Sequence, residues 1–217
     1  MTSRLYSLFR KRVVNDPEPS YPASENLPFL IVGLGNPGRQ YKTNRHNVGF
    51  MLLDTLASRL GVAFSRLEFK ALVTRTDYDG FRLILAKPQN YMNLSGQAVG
   101  SLVHFYKIQL DNLLVVYDDV DLPLGSLRLR SSGGSAGQKG MASILERFGT
   151  QEIPRLRIGI GRPTGGKDAA DYVLQDFSNA EKEQLKQILD RAADAALTFI
   201  TKGLEAAMNQ FNPYPGE

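Results

Sequence analysis

The sequence predicts one α/β domain, a twisted, mixed and mostly parallel sheet with helices on both faces. Three observations carry that expectation. Phe29–Val32 and Leu113–Tyr117 are short apolar runs with the length and β-branched content of buried strands. Segments with apolar residues at helical spacing alternate with such runs, as crossover helices do between parallel strands. Tyr78-Asp79-Gly80 is a hairpin signal, so part of the sheet is antiparallel.

The elements follow in order. Phe29–Gly33 reads as a buried strand that ends in the turn Gly33-Leu34-Gly35-Asn36-Pro37-Gly38. Met51, Leu52, Leu56 and Leu60 define a helix over Val48–Leu60, closed by Gly61. Lys70–Thr76 and Phe81–Ala86 are the arms of the hairpin. Leu94–Tyr106 is a helix, Leu113–Tyr117 a strand, and Ser126–Arg130 a strand with one solvated face. Gly140–Phe148 is a helix, and Leu156–Ile160 is a strand alternating with Arg155 and Arg157. Leu185, Ile188, Leu189, Ala192, Ala196, Phe199 and Ile200 mark a long amphipathic helix over Ala180–Thr201.

A chain of 217 residues with 42% apolar content fits one domain with tails. Residues 1–27 read as a disordered or targeting extension, 28–212 as the folded domain, and 213–217 as a tail. Residues 1–15 hold Arg4, Arg10, Lys11 and Arg12 and no acid, which suits a transit peptide. Asn15–Ser20 suits no regular structure. No run approaches the ~18 apolar residues of a membrane span. With no cysteine, disulfides and thiol chemistry are excluded. Only His46 and His104 are available, so a histidine-based metal site is not expected.

The net charge of +4 is unevenly spread. Residues 125–167 carry eight basic side chains against two acids, whereas 168–217 carry nine acids against four bases. A basic block of this kind is a footprint for a polyanion.

Four constellations suit chemistry. Gly33, Gly35 and Gly38 fit G-x-G-x-x-G after a strand, but Pro37 removes an N–H and the helix starts only near Asn47. A pyrophosphate site is therefore disfavoured, and Asn36 instead puts a carboxamide at the tip of a rigid turn. His46 and Asp118 fall where open sheets place their sites, and a carboxylate can fix a histidine's tautomer and raise its basicity. Asn93 offers a second carboxamide at the same sheet edge, or a helix cap. The segment Ser131–Gly140, which follows the strand of Arg128 and Arg130, suits an anion or is a plain linker.

Taken together, these residues resemble one family. G-L-G-N-P-G-x-x-Y-x-x-x-R-H-N-x-G, K-P-x-x-Y-M-N-x-S-G, D-D-V-D-L-P-x-G, G-S-A-G and R-L-R-I-G-I-G-R-P occur in that order, spanning Leu27 to Asn212. The pattern is similar to bacterial-type peptidyl-tRNA hydrolases. The resemblance implies hydrolysis of the ester between a peptide and the 3′-terminal ribose of tRNA, recycling tRNA from prematurely released peptidyl-tRNA. It implies a single α/β domain that needs no metal or cofactor. His46 would be the base and Asp118 its orienting partner. Asn36, Tyr41, Asn47, Met92, Asn93 and Lys139 would meet the peptide and the tRNA 3′ end. Arg128, Arg130 and Arg157 would grip phosphate in the acceptor arm. One departure stands out: Lys139 replaces the asparagine usual in the family's G-H-N-G segment, here Gly137-Gln138-Lys139-Gly140. A cytoplasmic monomer is expected, with an organellar home if residues 1–27 are a transit peptide. The alternative is an RNA-binding, splicing-factor-like organellar relative with little or no hydrolysis.

Overall fold

The computed structural model describes residues 27–163 and 168–213. The expected extension over 1–27 therefore lies almost wholly outside the described residues, as does most of the expected 213–217 tail. Seven strands form one sheet in the order β2-β3-β4-β1-β5-β7-β6. They are β1 (Phe29–Gly33), β2 (Arg66–Glu68), β3 (Ala71–Tyr78), β4 (Phe81–Pro88), β5 (Leu113–Asp119), β6 (Leu127–Arg130) and β7 (Arg155–Gly159). The central strands β4, β1, β5 and β7 are parallel, and β3 and β6 run against their neighbours. Strand β2 and its antiparallel pairing with β3 had no signal in the sequence, because three residues carry too little periodicity.

Alternation along the strands divides the core in two. Ile31, Leu114 and Val116 face α1 (Val48–Arg59) and α5 (Asn179–Phe211). Leu30, Val32, Val115 and Tyr117 face α2 (Ser95–Tyr106) and α3 (Lys139–Phe148). Helices thus cover both faces as expected. Leu52 on α1 is fully buried, and its truncation to alanine would cost about 2–5 kcal/mol. The long helix runs past its expected end at Thr201 because Gly203, at φ 85°, breaks the helical path and a further segment continues to Phe211. A short helix, α4 (Ala169–Val173), also went unread, since five residues hold barely one turn.

One close approach fixes where the site forms. A Cβ on Gly33 would lie 2.3 Å from the Gly49 carbonyl oxygen, and one on Gly49 would lie 2.5 Å from that of Val116. Only glycine at both positions lets the start of α1 lie directly over the ends of β1 and β5. The turn just before α1 is thereby pressed against the carboxyl end of β5.

Candidate active site

Three strand ends supply the polar groups, all at the carboxyl edge of the parallel strands, where such sheets place ligands. Strand β1 leads to Asn36, β4 leads to the 3-10 turn Met92–Leu94, and β5 carries Asp118 itself. The 3-10 turn Arg45–Asn47 brings His46 over them.

His46 Nδ1 lies 2.9 and 2.8 Å from the two carboxylate oxygens of Asp118. Both side chains are buried, His46 with 8% and Asp118 with 3% of its surface exposed. Nδ1 donates to the carboxylate, so Nε2 is the nitrogen left to accept a proton. No hydroxyl is hydrogen-bonded to His46 among the described residues, so no activated nucleophile accompanies this base.

The histidine is held from behind. Arg45 is buried and forms two bonds to Glu181, at 2.8 and 2.7 Å, while its guanidinium stacks on Tyr172 and Phe177. Hydrogen bonding to Arg45 lowers the Glu181 carboxyl from its ordinary value to about 2. Arg45 N–H donates to the Gln175 carbonyl, and Thr43 donates to Asp176. The turn that carries His46 is thus tied to the start of α5 and the segment before it.

Asn36 and Asn47 form a reciprocal pair. Asn36 N–H donates to Asn47 Oδ1 and Asn47 Nδ2 donates to the Asn36 carbonyl, each at 2.9 Å. Asn47 was expected to meet substrate; it is 2% exposed, and its carboxamide is committed to the Asn36 backbone. The Asn36 side chain accepts from Met92 N–H at 3.0 Å, which leaves its Nδ2 as a directed donor. Asn93 is exposed and does not cap α2, whose N-cap residue is Leu94 with no side-chain bond. Tyr41 is half-buried at the end of its own 3-10 turn, and Met92 is buried beside Asn36.

Sequence reasoning missed Gln138. It caps α3 by accepting from Met141 N–H at 2.7 Å, and its Nε2 reaches Asp118 Oδ1 and Met92 Sδ, both at 3.3 Å. Lys139 itself is exposed at the first position of α3 and makes no described side-chain bond. A polar residue three before the first buried apolar residue of α3 was the available signal.

The basic strands differ from expectation in part. Arg128 pairs in register with Arg157, and Arg130 with Arg155, so all four project from one face. Arg155 is buried and donates to the carbonyls of Gln151, Ile153, Gly133 and Gly134. The Gly-rich loop therefore turns carbonyls toward a buried cation, whereas the sequence suggested N–H groups for an anion or a plain linker. Arg157 is paired with Asp119, which holds one of the expected phosphate contacts within the fold. Arg128 is half-buried and Arg130 exposed, and neither has an ion pair among the described residues. The acidic C-terminal third pairs elsewhere: Asp190 and Asp194 with Arg59, and Glu181 with Arg45.

Among the described residues no group of three His, Asp or Glu side chains is placed to hold a metal ion, and no helix is long and apolar enough to cross a membrane.

Comparison with known proteins converges on one family. A sequence model described as peptidyl-tRNA hydrolase matches residues 30–216. A peptidyl-tRNA hydrolase of Carboxydothermus hydrogenoformans is 52% identical over 184 residues, 85% of this chain and 98% of that protein. A chloroplastic peptidyl-tRNA hydrolase of Arabidopsis thaliana is 47% identical over 86% of this chain and 65% of its own length. The crystal structure of an Acinetobacter baumannii peptidyl-tRNA hydrolase superposes with a TM-score of 0.81 at 33% identity, covering 87% of this chain and 96% of that one. The alternative of a relative without hydrolysis finds no support among these proteins. The motifs that meet around His46 and Asp118 are therefore carried on a matching sequence and a matching backbone, and the chain belongs to the peptidyl-tRNA hydrolase family.

Proposed function

We propose that this protein hydrolyses the ester of peptidyl-tRNA with His46 as general base. The observation that carries the reading is the buried His46–Asp118 pair, which leaves Nε2 as the proton acceptor at the mouth of three converging strand ends. A water gives its proton to Nε2 and attacks the ester carbonyl. Asp118 stabilises the imidazolium so formed. Asn36 Nδ2, aimed by the Met92 N–H bond, steadies the developing oxyanion. The ribose oxygen leaves with the proton from the imidazolium, and free peptide and tRNA result.

Asn93 and Asn36 hold peptide backbone, and Tyr41 and Met92 line the approach to the tRNA 3′ end. Asn47 acts through Asn36 as a positioning residue. Arg130 and Arg128 meet acceptor-arm phosphates, joined by Arg157 from its pairing with Asp119, and Lys139 stands at the rim of the cleft. A single copy suffices, since His46, Asp118 and Asn36 come from one chain. Its place is the cytoplasm, or an organelle if residues 1–27 direct it there.

The decisive experiment is peptide release from an N-blocked aminoacyl-tRNA by the purified protein. Release is expected there, with free aminoacyl-tRNA spared. Equal cleavage of both would reject the peptide-binding role of the two asparagines, and no release would reject the activity.

A further inference from the structure

We propose that a groove beside Asn36 is a second acyl-chain subsite, one that holds residues upstream of the esterified one and favours acidic over basic side chains there. The proposal rests on the hydrolase reading above and extends it to the part of the substrate remote from the ester.

The groove has a volume of about 320 Å³ and is lined by Pro37, Lys70, Gln89, Asn90, Tyr91 and Leu94, among others. That volume is at the small end of ligand sites and suits a short stretch of chain. Three of these residues are covalent neighbours of the expected peptide contacts: Pro37 of Asn36, Tyr91 of Met92, and Leu94 of Asn93. The groove therefore borders the expected peptide contacts.

Its polar groups are oriented. Gln89 Nε2 donates to the Lys87 carbonyl at 3.0 Å, and Asn90 Nδ2 donates to the Leu94 carbonyl at 3.2 Å. Their amide nitrogens are thus committed, and their carbonyl oxygens remain to accept from the N–H groups of an extended peptide. Tyr91 and Leu94 are 65% and 39% exposed, an apolar shelf for side chains.

Lys70 supplies the charge. Glu68, two residues away, is occupied by Arg75 and Tyr106, and Lys70 has no ion pair among the described residues. Its backbone is also unusual. Glu68 and Ala71 pair across a two-residue turn in which Phe69 has φ 47° and Lys70 φ 61°. The equivalent turn between β3 and β4 uses Asp79 and Gly80, the residue types that such a conformation favours. The Lys70 carbonyl accepts from Gln89 N–H at 2.7 Å, which ties this turn to another residue lining the groove. An unpaired ammonium at the groove attracts a carboxylate and repels a lysine side chain or a free α-ammonium.

The test uses N-acetylated tripeptidyl-tRNAs that share one esterified residue and carry Asp, Ala or Lys at both upstream positions. An N-acetyl-aminoacyl-tRNA with no upstream residue is the reference. The wild-type protein is expected to rank kcat/KM as Asp over Ala over Lys, by roughly 2- to 5-fold per step, with the ranking fading as salt is raised. Lys70→Glu should reverse the order. Lys70→Asn, whose side chain tolerates positive φ, should flatten it without disturbing the turn. Cleavage of the reference substrate with no charge ranking, or a ranking unchanged in both variants, overturns the subsite alone. Failure to cleave the reference substrate overturns the hydrolase reading and the subsite with it.

Discussion

The cleft and the arginine strands use charge in opposite ways. At the centre of the cleft the charged groups are paired within the protein: His46 with Asp118, and Arg45 with Glu181 behind it. Such groups are fixed before substrate arrives, which suits chemistry that depends on orientation. On β6 and β7 four arginines share one face, where like charges repel. The fold satisfies two of them, Arg155 with loop carbonyls and Arg157 with Asp119, while Arg128 and Arg130 have no ion pair among the described residues. Residue type alone says little about role: one of the four arginines holds a loop, one is shared, and two are available to a polyanion.

The sharpest break of this comparison lies in the cleft. His46→Ala should reduce turnover by about 10²- to 10⁴-fold while tRNA binding and thermal unfolding stay close to wild type. Asp118→Asn should reduce it about 10²-fold by weakening the orientation of the base. Near-normal turnover in His46→Ala, measured by single-turnover peptide release, would remove the proposed mechanism.

Gln138 is expected to matter less, since its bond to Asp118 is long. Gln138→Ala should lower kcat by roughly 3- to 10-fold with little change in KM. Gln138→Glu separates the cap from the chemistry: it retains an acceptor for Met141 N–H but sets a second carboxylate against Asp118. A pH–rate profile identical to wild type in Gln138→Glu would show that Gln138 serves only as a cap.

The arginine strands should divide when probed one at a time. Arg155→Ala should cost about 2–4 kcal/mol of stability, because it removes a buried side chain that ties Gly133, Gly134, Gln151 and Ile153 together, and should not alter the salt slope of tRNA binding. Arg130→Ala should leave the melting temperature unchanged, weaken binding of all tRNAs alike, and flatten the log–log salt slope by about one unit or less. Arg157→Ala should do both, since it also strands the buried Asp119. An Arg157→Ala protein that melts early yet binds tRNA with wild-type salt dependence would restrict that residue to the fold.

The smallest effect concerns the latch behind His46. The Glu181 carboxyl is held down to about 2 by hydrogen bonding to Arg45. A lowered carboxyl contributes stability that is fully present above its unfolded value of about 4.5 and is lost as pH falls through about 2. Denaturation followed between those two pH values should show a shallower decline in Glu181→Gln than in wild type. Parallel curves would show that the latch carries no titrating stability.

The sequence determined the α/β class, the central strands and the four longer helices, and it singled out His46, Asp118 and Asn36, which the fold brings to one sheet edge. Those signals are local: apolar runs with strand or helix periodicity, and motifs of fixed spacing around a Gly-rich turn. Short elements escaped it, because three or five residues do not fill a period. Tertiary structure alone decided which arginine is buried, that Asn47 serves Asn36, and that Gln138 reaches Asp118. It also decided that Glu181 pairs with Arg45, and Asp190 and Asp194 with Arg59, while among the described residues no acid of 168–217 forms an ion pair with the basic block. Most of these join residues that are not neighbours along the chain: Asn47 with Asn36, Gln138 with Asp118, Arg155 with Gly133, and Arg45 with Glu181. The energy of a polar group depends on what the fold brings within hydrogen-bond reach and how far it excludes water, and neither is written in the neighbours along the chain.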